Sequence, residues 1–436
     1  MKILLLLASL TITSVASAQN APESPDDLVN PTAIVSGAGI KVGEGTVFHP
    51  TIGVETGVVS NVFYEETGLS NTAGLLRVLA EISTGSLPAQ RLAIHNTDAT
   101  DAEQQSREQG KLQYLASLYA SWDQYLSTND AVTSQGGLGG GLLFKGVANP
   151  QKTFSFSFLE HFNRVIRATN FESGEDTNRD INMLALRLNY QPRGRTLGGY
   201  LYYRNVVDYF ENDRQQFANR FHNSFGLRIN HQWLPLTRLY VDSSIGVYTG
   251  LGSESTKVDS YPLEAVAGIM TALTLNTTVN ARIGYTQGFY SAGTDYATVT
   301  GGVQFGYRYS PVGRAMLMYS YDHTDSINAN FYRDHTIKLN FDQQFVPFAV
   351  NASAELHLRR YENTIVMDVN GNTFRDDAIG AVTVGARYMF RSWIAGVLNY
   401  QFSAVSTDFQ YDAGGGVIDD PSYLRHELLA GVRAAY

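Results

Sequence analysis

The side chains of this 436-residue chain that could act on a solute are arginines, carboxylates and tyrosines at alternating positions. Arg187, Arg204, Arg220, Arg228, Arg238, Arg282, Arg308, Arg387, Arg425 and Arg433 recur in stretches where polar and apolar residues alternate. Glu55, Glu81, Asp242 and Glu355 fall on the same polar phase. Arginine forks match carboxylates two-pronged, so such a set either braces a wet interior with salt bridges or guides an anionic or hydroxyl-rich solute. Tyr200, Tyr202, Tyr240 and Tyr248 share the phase and offer either packing or flat platforms for sugar rings.

Other chemistries find little support. The histidines, among them His161, His222, His231, His323, His335, His357 and His426, have no paired spacing on one face, so neither a zinc site nor a Ser-His-Asp arrangement is indicated. Asp368-Val369-Asn370-Gly371-Asn372 starts like a calcium loop, but Thr373 and Ile379 stand where the loop needs its Gly and Glu. Asn370-Gly371 is simply a hairpin tip. The glycines at 137 and 139–141 do not open a helix after a strand and make no nucleotide site. With no Cys there are no disulfides or thiolate ligands, and a net charge of -9 argues against nucleic acid. The expectation is a protein that is not an enzyme and has no cofactor and no metal.

The elements that position the arginines alternate with period two. In the last stretch Leu424, Leu428, Ala430, Val432, Ala434 and Tyr436 share one face, and Arg425, Glu427, Gly431 and Arg433 the other. That is a strand with lipid outside and water inside, and Val432, Ala434 and the terminal aromatic Tyr436 resemble the signal read by the machinery that assembles outer-membrane barrels. Leu275–Tyr285, Ala297–Tyr307 and Phe348–Leu358 repeat the pattern, with Ile283, Val299, Phe305 and Leu356 among the apolar set. No stretch after the amino terminus has the roughly 20 apolar residues of a spanning helix. The predicted fold is all-β: a transmembrane, antiparallel, up-and-down barrel of about 18 strands over residues 45–436.

Connection lengths support this. Tight joins at 147–151, 191–194, 233–236, 310–312 and 390–391 alternate with long polar loops at 124–137, 164–180, 208–219, 249–260, 323–333, 359–377 and 404–421. Both chain ends would then lie on the short-turn, periplasmic side. The stretch 86–110 breaks the phase: a periplasmic excursion, a short helix, or a sign that two strands are mis-split. Residues 1–18, with Lys2, an apolar run and Ala16-Ser17-Ala18, read as a cleaved signal peptide. Residues 19–44 read as a short periplasmic segment that tucks into or under the barrel. The expected location is the outer membrane, and the expected partners are its lipid and lipopolysaccharide.

From Gly53 to Tyr64 the chain reads GVETGVVSNVFY and resembles the beta-barrel porin 2 family, whose first strand ends in a Ser/Asp-Asn-Val-aromatic stretch before a short acidic loop, here Glu65-Glu66-Thr67. The resemblance implies an outer-membrane pore for exopolysaccharide export, working with a periplasmic polysaccharide export protein. The residues also fit two rivals: a passive diffusion porin, and a structural or adhesive barrel with a blocked lumen.

Overall fold

The computed structural model describes residues 39–42, 46–65, 71–86, 111–166, 178–192, 194, 196–253, 255, 257–326, 329–414 and 417–436. In chain order its elements are β1 (Ile40–Val42), β2 (Thr46–Val59), β3 (Ala73–Ser86), β4 (Leu112–Leu126), α1 (Asp130–Thr133), β5 (Gly137–Ala148), β6 (Phe154–Val165) and β7 (Arg179–Tyr190). They continue with β8 (Leu197–Phe210), β9 (Arg220–Leu234), β10 (Thr237–Gly250), β11 (Ser260–Ala272), β12 (Thr277–Tyr290), β13 (Tyr296–Ser310) and β14 (Gly313–Asp325). Last come β15 (Ala329–Phe345), β16 (Phe348–Thr364), β17 (Phe374–Arg391), β18 (Ile394–Thr407), the hairpin β19 (Tyr411–Gly414) and β20 (Val417–Asp419), and β21 (Tyr423–Ala435).

Each strand from β2 to β18 pairs antiparallel with the next, β18 pairs with β21, and β21 returns to β2 with Thr51 opposite Ala435 and Val59 opposite Glu427. This closes an 18-stranded barrel. Closure removes every free edge, which is what lets strands cross lipid. Lengths of 12 residues in β5 to 18 in β17 exceed the roughly 9–11 a span needs, so the strands project beyond the membrane.

The outer face is apolar and exposed. Ile283 is 65% and Val299 57% accessible, with Phe305 and Leu356 on the same surface. Surface of this kind is stable only against hydrocarbon. Near the short turns it becomes aromatic: Phe348 and Tyr388 lie 4.7 Å apart, Tyr388 and Phe390 5.1 Å, and Tyr309 stacks on Phe341 at 5.6 Å. Such a girdle sits at a lipid–water interface.

The connections alternate broadly as the sequence predicts, and three regions stand out. First, the 323–333 loop is mostly strand: β14 runs to Asp325 and β15 starts at Ala329, because Tyr321 to Asp325 pair with His335 to Phe331. Polar residues form strand here because they lie beyond the lipid. Second, β3 and β4 pair in unbroken register from Gly74↔Leu126 to Gly85↔Leu115, so these two strands are correctly divided, while 87–110 lies outside the described residues. Third, Ile40–Val42 in the amino-terminal segment is itself a strand on β2. Residues 1–18, read from the sequence as a signal peptide, also lie outside the described residues.

Candidate transport lumen

Register fixes which side chains face inward. Glu55 opposes Arg77, Arg77 opposes Asp123, and the phase carries around the barrel through Arg187↔Tyr202, Asp242↔Arg228, Arg282↔Gly302 and Lys338↔Glu355. Arg187, Arg204, Arg228, Arg282, Arg308, Arg387, Arg433, Glu55, Glu355, Tyr200 and Tyr202 all carry this inner phase. Val432, Ala434 and Tyr436 have the outer phase of β21, with Tyr436 exposed and its N–H donating to the Pro50 carbonyl at 3.0 Å.

The structure gathers these residues into separate clusters. At the closing seam Arg433, fully buried, donates to Glu55 through Nε at 2.6 Å and also through Nη2. Beside it Arg77 grips Asp123 two-pronged at 2.8 and 2.7 Å and reaches Glu427 at 3.5 Å. A second cluster joins Arg187, stacked 4.8 Å over Tyr200, to Tyr202, whose hydroxyl donates to Asp242 at 3.0 Å. Arg228 lies 3.9 Å over Tyr240 with Nη1 3.7 Å from Asp242. Tyr202 reaches Asp242, two strands away, only because Gly226 of β9 lies between them; a Cβ there would collide with the Tyr202 ring.

Further around, Arg282 Nη2 donates to both Asp322 oxygens at 2.8 Å, and Nη1 lies 3.8 Å from Glu264. Glu355 accepts from Lys338 Nζ at 3.1 Å and lies 2.9 Å from His357 Nε2. Asp208 is held between Arg179 and Arg220, and Asp334 receives Arg359 Nη2 at 3.0 Å. Arg308 donates to the Leu275 carbonyl at 3.4 Å, and among the described residues neither it nor Arg387 joins these clusters. Arg77, Arg179 and Arg359 and the partner carboxylates Asp123, Asp208, Asp322 and Asp334 are inner residues that strand periodicity alone did not single out. For Arg77 the signal was present, four residues before Glu81 on one strand and therefore on one face.

The tyrosine faces are covered by protein cations: Arg187 on Tyr200, Arg228 on Tyr240, Arg220 and Lys257 on Tyr248. At the loop end the β14–β15 hairpin leans onto β11 and β12. Asp325 accepts from Ser260 Oγ at 2.6 Å and Tyr290 Oη at 2.8 Å, while Lys257 Nζ donates to the Asn330 carbonyl at 3.2 Å.

No protein-family model matches the chain, and no curated protein sequence matches it. Solved structures show a loose likeness. The FrpB iron transporter from Neisseria meningitidis in apoprotein form superposes with a TM-score of 0.44 at 9% identity, covering 91% of this chain and 82% of that one. Pseudomonas aeruginosa OpdK with vanillate gives 0.44 at 9% identity, covering 91% and 100%. Acinetobacter baumannii OccAB3 gives 0.41 at 11% identity, covering 91% and 100%. With superpositions this loose, the barrel assignment stands on the chain's own strand pairing.

Proposed function

We propose that the barrel is a passage across the outer membrane for small hydrophilic solutes moving by diffusion, with both chain ends in the periplasm. The observation that carries this reading is the pairing of an apolar, aromatic-girdled outside with an inner wall of hydrogen-bonded charges. Such a wall keeps water and polar solutes at low cost, and its arginines, largely neutralised by their own carboxylates, select weakly for charge. Arg314, on the inner phase near the short turns, is 65% accessible at its side chain and lies 2.8 Å from Asp342, which supports this reading.

The rival reading, export of an exopolysaccharide through a periplasmic export protein, rests on the resemblance at Gly53–Tyr64. Those residues have a structural explanation. Glu55 binds Arg433 across the seam, and Asn61 donates to the Glu65 carbonyl at 2.8 Å and the Leu424 carbonyl at 2.9 Å. Tyr64 packs edge-on to Tyr423 at 5.1 Å, under the Arg425 guanidinium. The motif therefore locks the barrel shut, a need that any solute imposes equally.

Purified protein in planar lipid bilayers tests the proposal. Stable ion conductance without any partner is the expected result. A silent barrel, together with loss of surface polysaccharide in a strain lacking the gene and its return on complementation, would overturn the diffusion reading in favour of export.

A further inference from the structure

The outer phase of β14 and β15 changes its surroundings along the strands. Leu317, Tyr319, Ile337 and Leu339 are exposed, as a lipid face requires. Nearer the loop end, His323, Asp325 and Phe331 have the same phase and are buried. Something other than lipid lies against them.

The strand ladder shows what. Strand β13 stays paired with β12 as far as Tyr296↔Gly288, and β14 stays paired with β15 as far as Asp325↔Phe331. Between β13 and β14, however, the pairing stops at Gly301↔Tyr321. Beyond that point the two strands part, and the outer-phase residues of the β14–β15 hairpin touch inner-phase residues of β11, β12 and β13. Asp325 takes its hydrogen bonds from Ser260 of β11 and Tyr290 of β12, and the Phe331 ring lies 4.8 Å from Tyr296 of β13 and 5.9 Å from Tyr290. His323 lies 5.1 Å from the same Tyr296. Ser260, Tyr290 and Tyr296 carry the lumen phase of Glu264, Arg282 and Gln304. An outer face can meet an inner face only where the hairpin has crossed to the lumen side of these strands.

The other face of the hairpin is covered as well. Tyr332 packs edge-on to Tyr361 at 5.4 Å, with the Arg359 guanidinium 3.9 Å over its ring, both from the inner phase of β16. The hairpin thus lies over the mouth from β16 to β11. At the seam, on the far side of the ring, α1 sets Val132 over the inner-phase residues Val59, Leu75 and Leu429. The mouth is narrowed from two sides.

Polar contacts hold the hairpin at its β11 end. Besides its two hydroxyl donors, Asp325 lies 3.6 Å from Lys257 Nζ, and that ammonium sits over the rings of Tyr248 and Tyr290. Asn330 Nδ2 donates to the Ala292 carbonyl at 2.9 Å, an approach that Gly293 permits, since a Cβ there would collide with the Asn330 amide. A buried carboxylate with two hydroxyl donors and an ammonium is costly to displace, so Asp325 is the strongest of these ties.

We infer that the β14–β15 hairpin is a strap across the outer mouth, and that Asp325, its anchor on β11 and β12, sets the largest solute the passage admits. The inference rests on the diffusion reading of the lumen. Asp325 is a positioning residue: it acts on solutes through the place it gives the hairpin.

The chain has no Cys, so one engineered pair can fix or free the strap. Ser260→Cys with Asp325→Cys puts two thiols where the side chains now share a hydrogen bond of 2.6 Å. The protein is oxidised before purification, pairing is read from the loss of maleimide labelling after denaturation, and reduction follows only after insertion into planar bilayers, so assembly is never asked of the freed form. Single-channel conductance and the largest neutral polyethylene glycol that enters are then measured in both states. The oxidised protein should match the unsubstituted one, and reduction should raise the conductance and shift the polymer cut-off to larger sizes, reversibly. Thiols that fail to pair would overturn the inference, because the hairpin would not lie on β11. Conduction with the same cut-off in both states would overturn the strap alone and leave the passage standing. Silence in both states would overturn passage and strap together, whereas silence relieved by reduction would uphold the strap and overturn only the open passage.

Discussion

The inner wall over β4 to β7 and the inner wall over β8 to β16 are made of the same alternating strands, yet the first sets an apolar cluster beside its charges Asp123, Arg179 and Arg187 where the second is crowded with ion pairs. The first carries Leu115, Leu143, Val147 and Leu159 in a buried apolar cluster. The second carries Arg228, Asp242, Arg282, Asp322, Asp334 and Arg359 in contacts of 2.8 to 3.7 Å. A period of two says only that a residue faces inward. Whether inward means water, an ion partner or another segment of chain depends on what stands opposite.

The largest effect should come from breaking a buried charge cluster on the second wall. Asp208→Ala removes the carboxylate shared by Arg179 and Arg220 and leaves two shielded guanidiniums, a cost of about 3–5 kcal/mol. Denaturant unfolding of the barrel in lipid vesicles should show the loss, and an unchanged midpoint would mean that these charges are solvated after all. On the first wall Leu143→Ala should cost about 2–3 kcal/mol if the cluster is covered, and close to nothing if water lies against it. Those two substitutions in one unfolding series decide whether the walls differ as described.

A smaller change probes geometry alone. Gly226→Ala pushes Tyr202 off its line to Asp242, with an expected cost of about 1–3 kcal/mol from overpacking. Gly226→Ala combined with Tyr202→Phe should show whether the hydroxyl bond or the ring is at stake. If the single substitution is neutral, the close approach is not a constraint.

The smallest effect lies outside the membrane. In the β16–β17 loop, desolvation pushes the Asp368 carboxyl upward, but hydrogen bonds from the Asn370 side chain, the Gln410 and Asn370 backbones and the Asn372 side chain outweigh it and hold it below the ordinary carboxylate range. A depressed value means that the stabilisation is present above the unfolded pKa of about 3.9 and is lost as pH falls through the folded one. Amide exchange at Asn370 and Gln410, corrected for intrinsic rate, should therefore stay protected at neutral pH and rise only in strong acid. A rise between pH 5 and 7 would contradict this.

The strands were legible because lipid outside and water inside impose a period of two that Ile283, Val299 and Phe305 obey residue by residue. The closing strand was legible for the same reason: Arg433 and Val432 cannot exchange faces without placing a charge in hydrocarbon. Less legible was the pairing of charges. Arg282 meets Asp322 and Tyr202 meets Asp242 two strands away, separations of 40 residues along the chain that no local spacing encodes. The loop at 323–333 was misread because its polar residues look like a turn, although beyond the lipid a strand has no need of apolar residues.

By itself the sequence determined the barrel, its approximate strand number and the inner phase of arginines such as Arg187, Arg228 and Arg433, since those follow from alternation against two solvents. Only the tertiary structure decided which arginine meets which carboxylate, how Gly53–Tyr64 locks the seam, and where the inner wall turns apolar. Those depend on register between strands, and register is set when the sheet closes on itself, not by any strand alone.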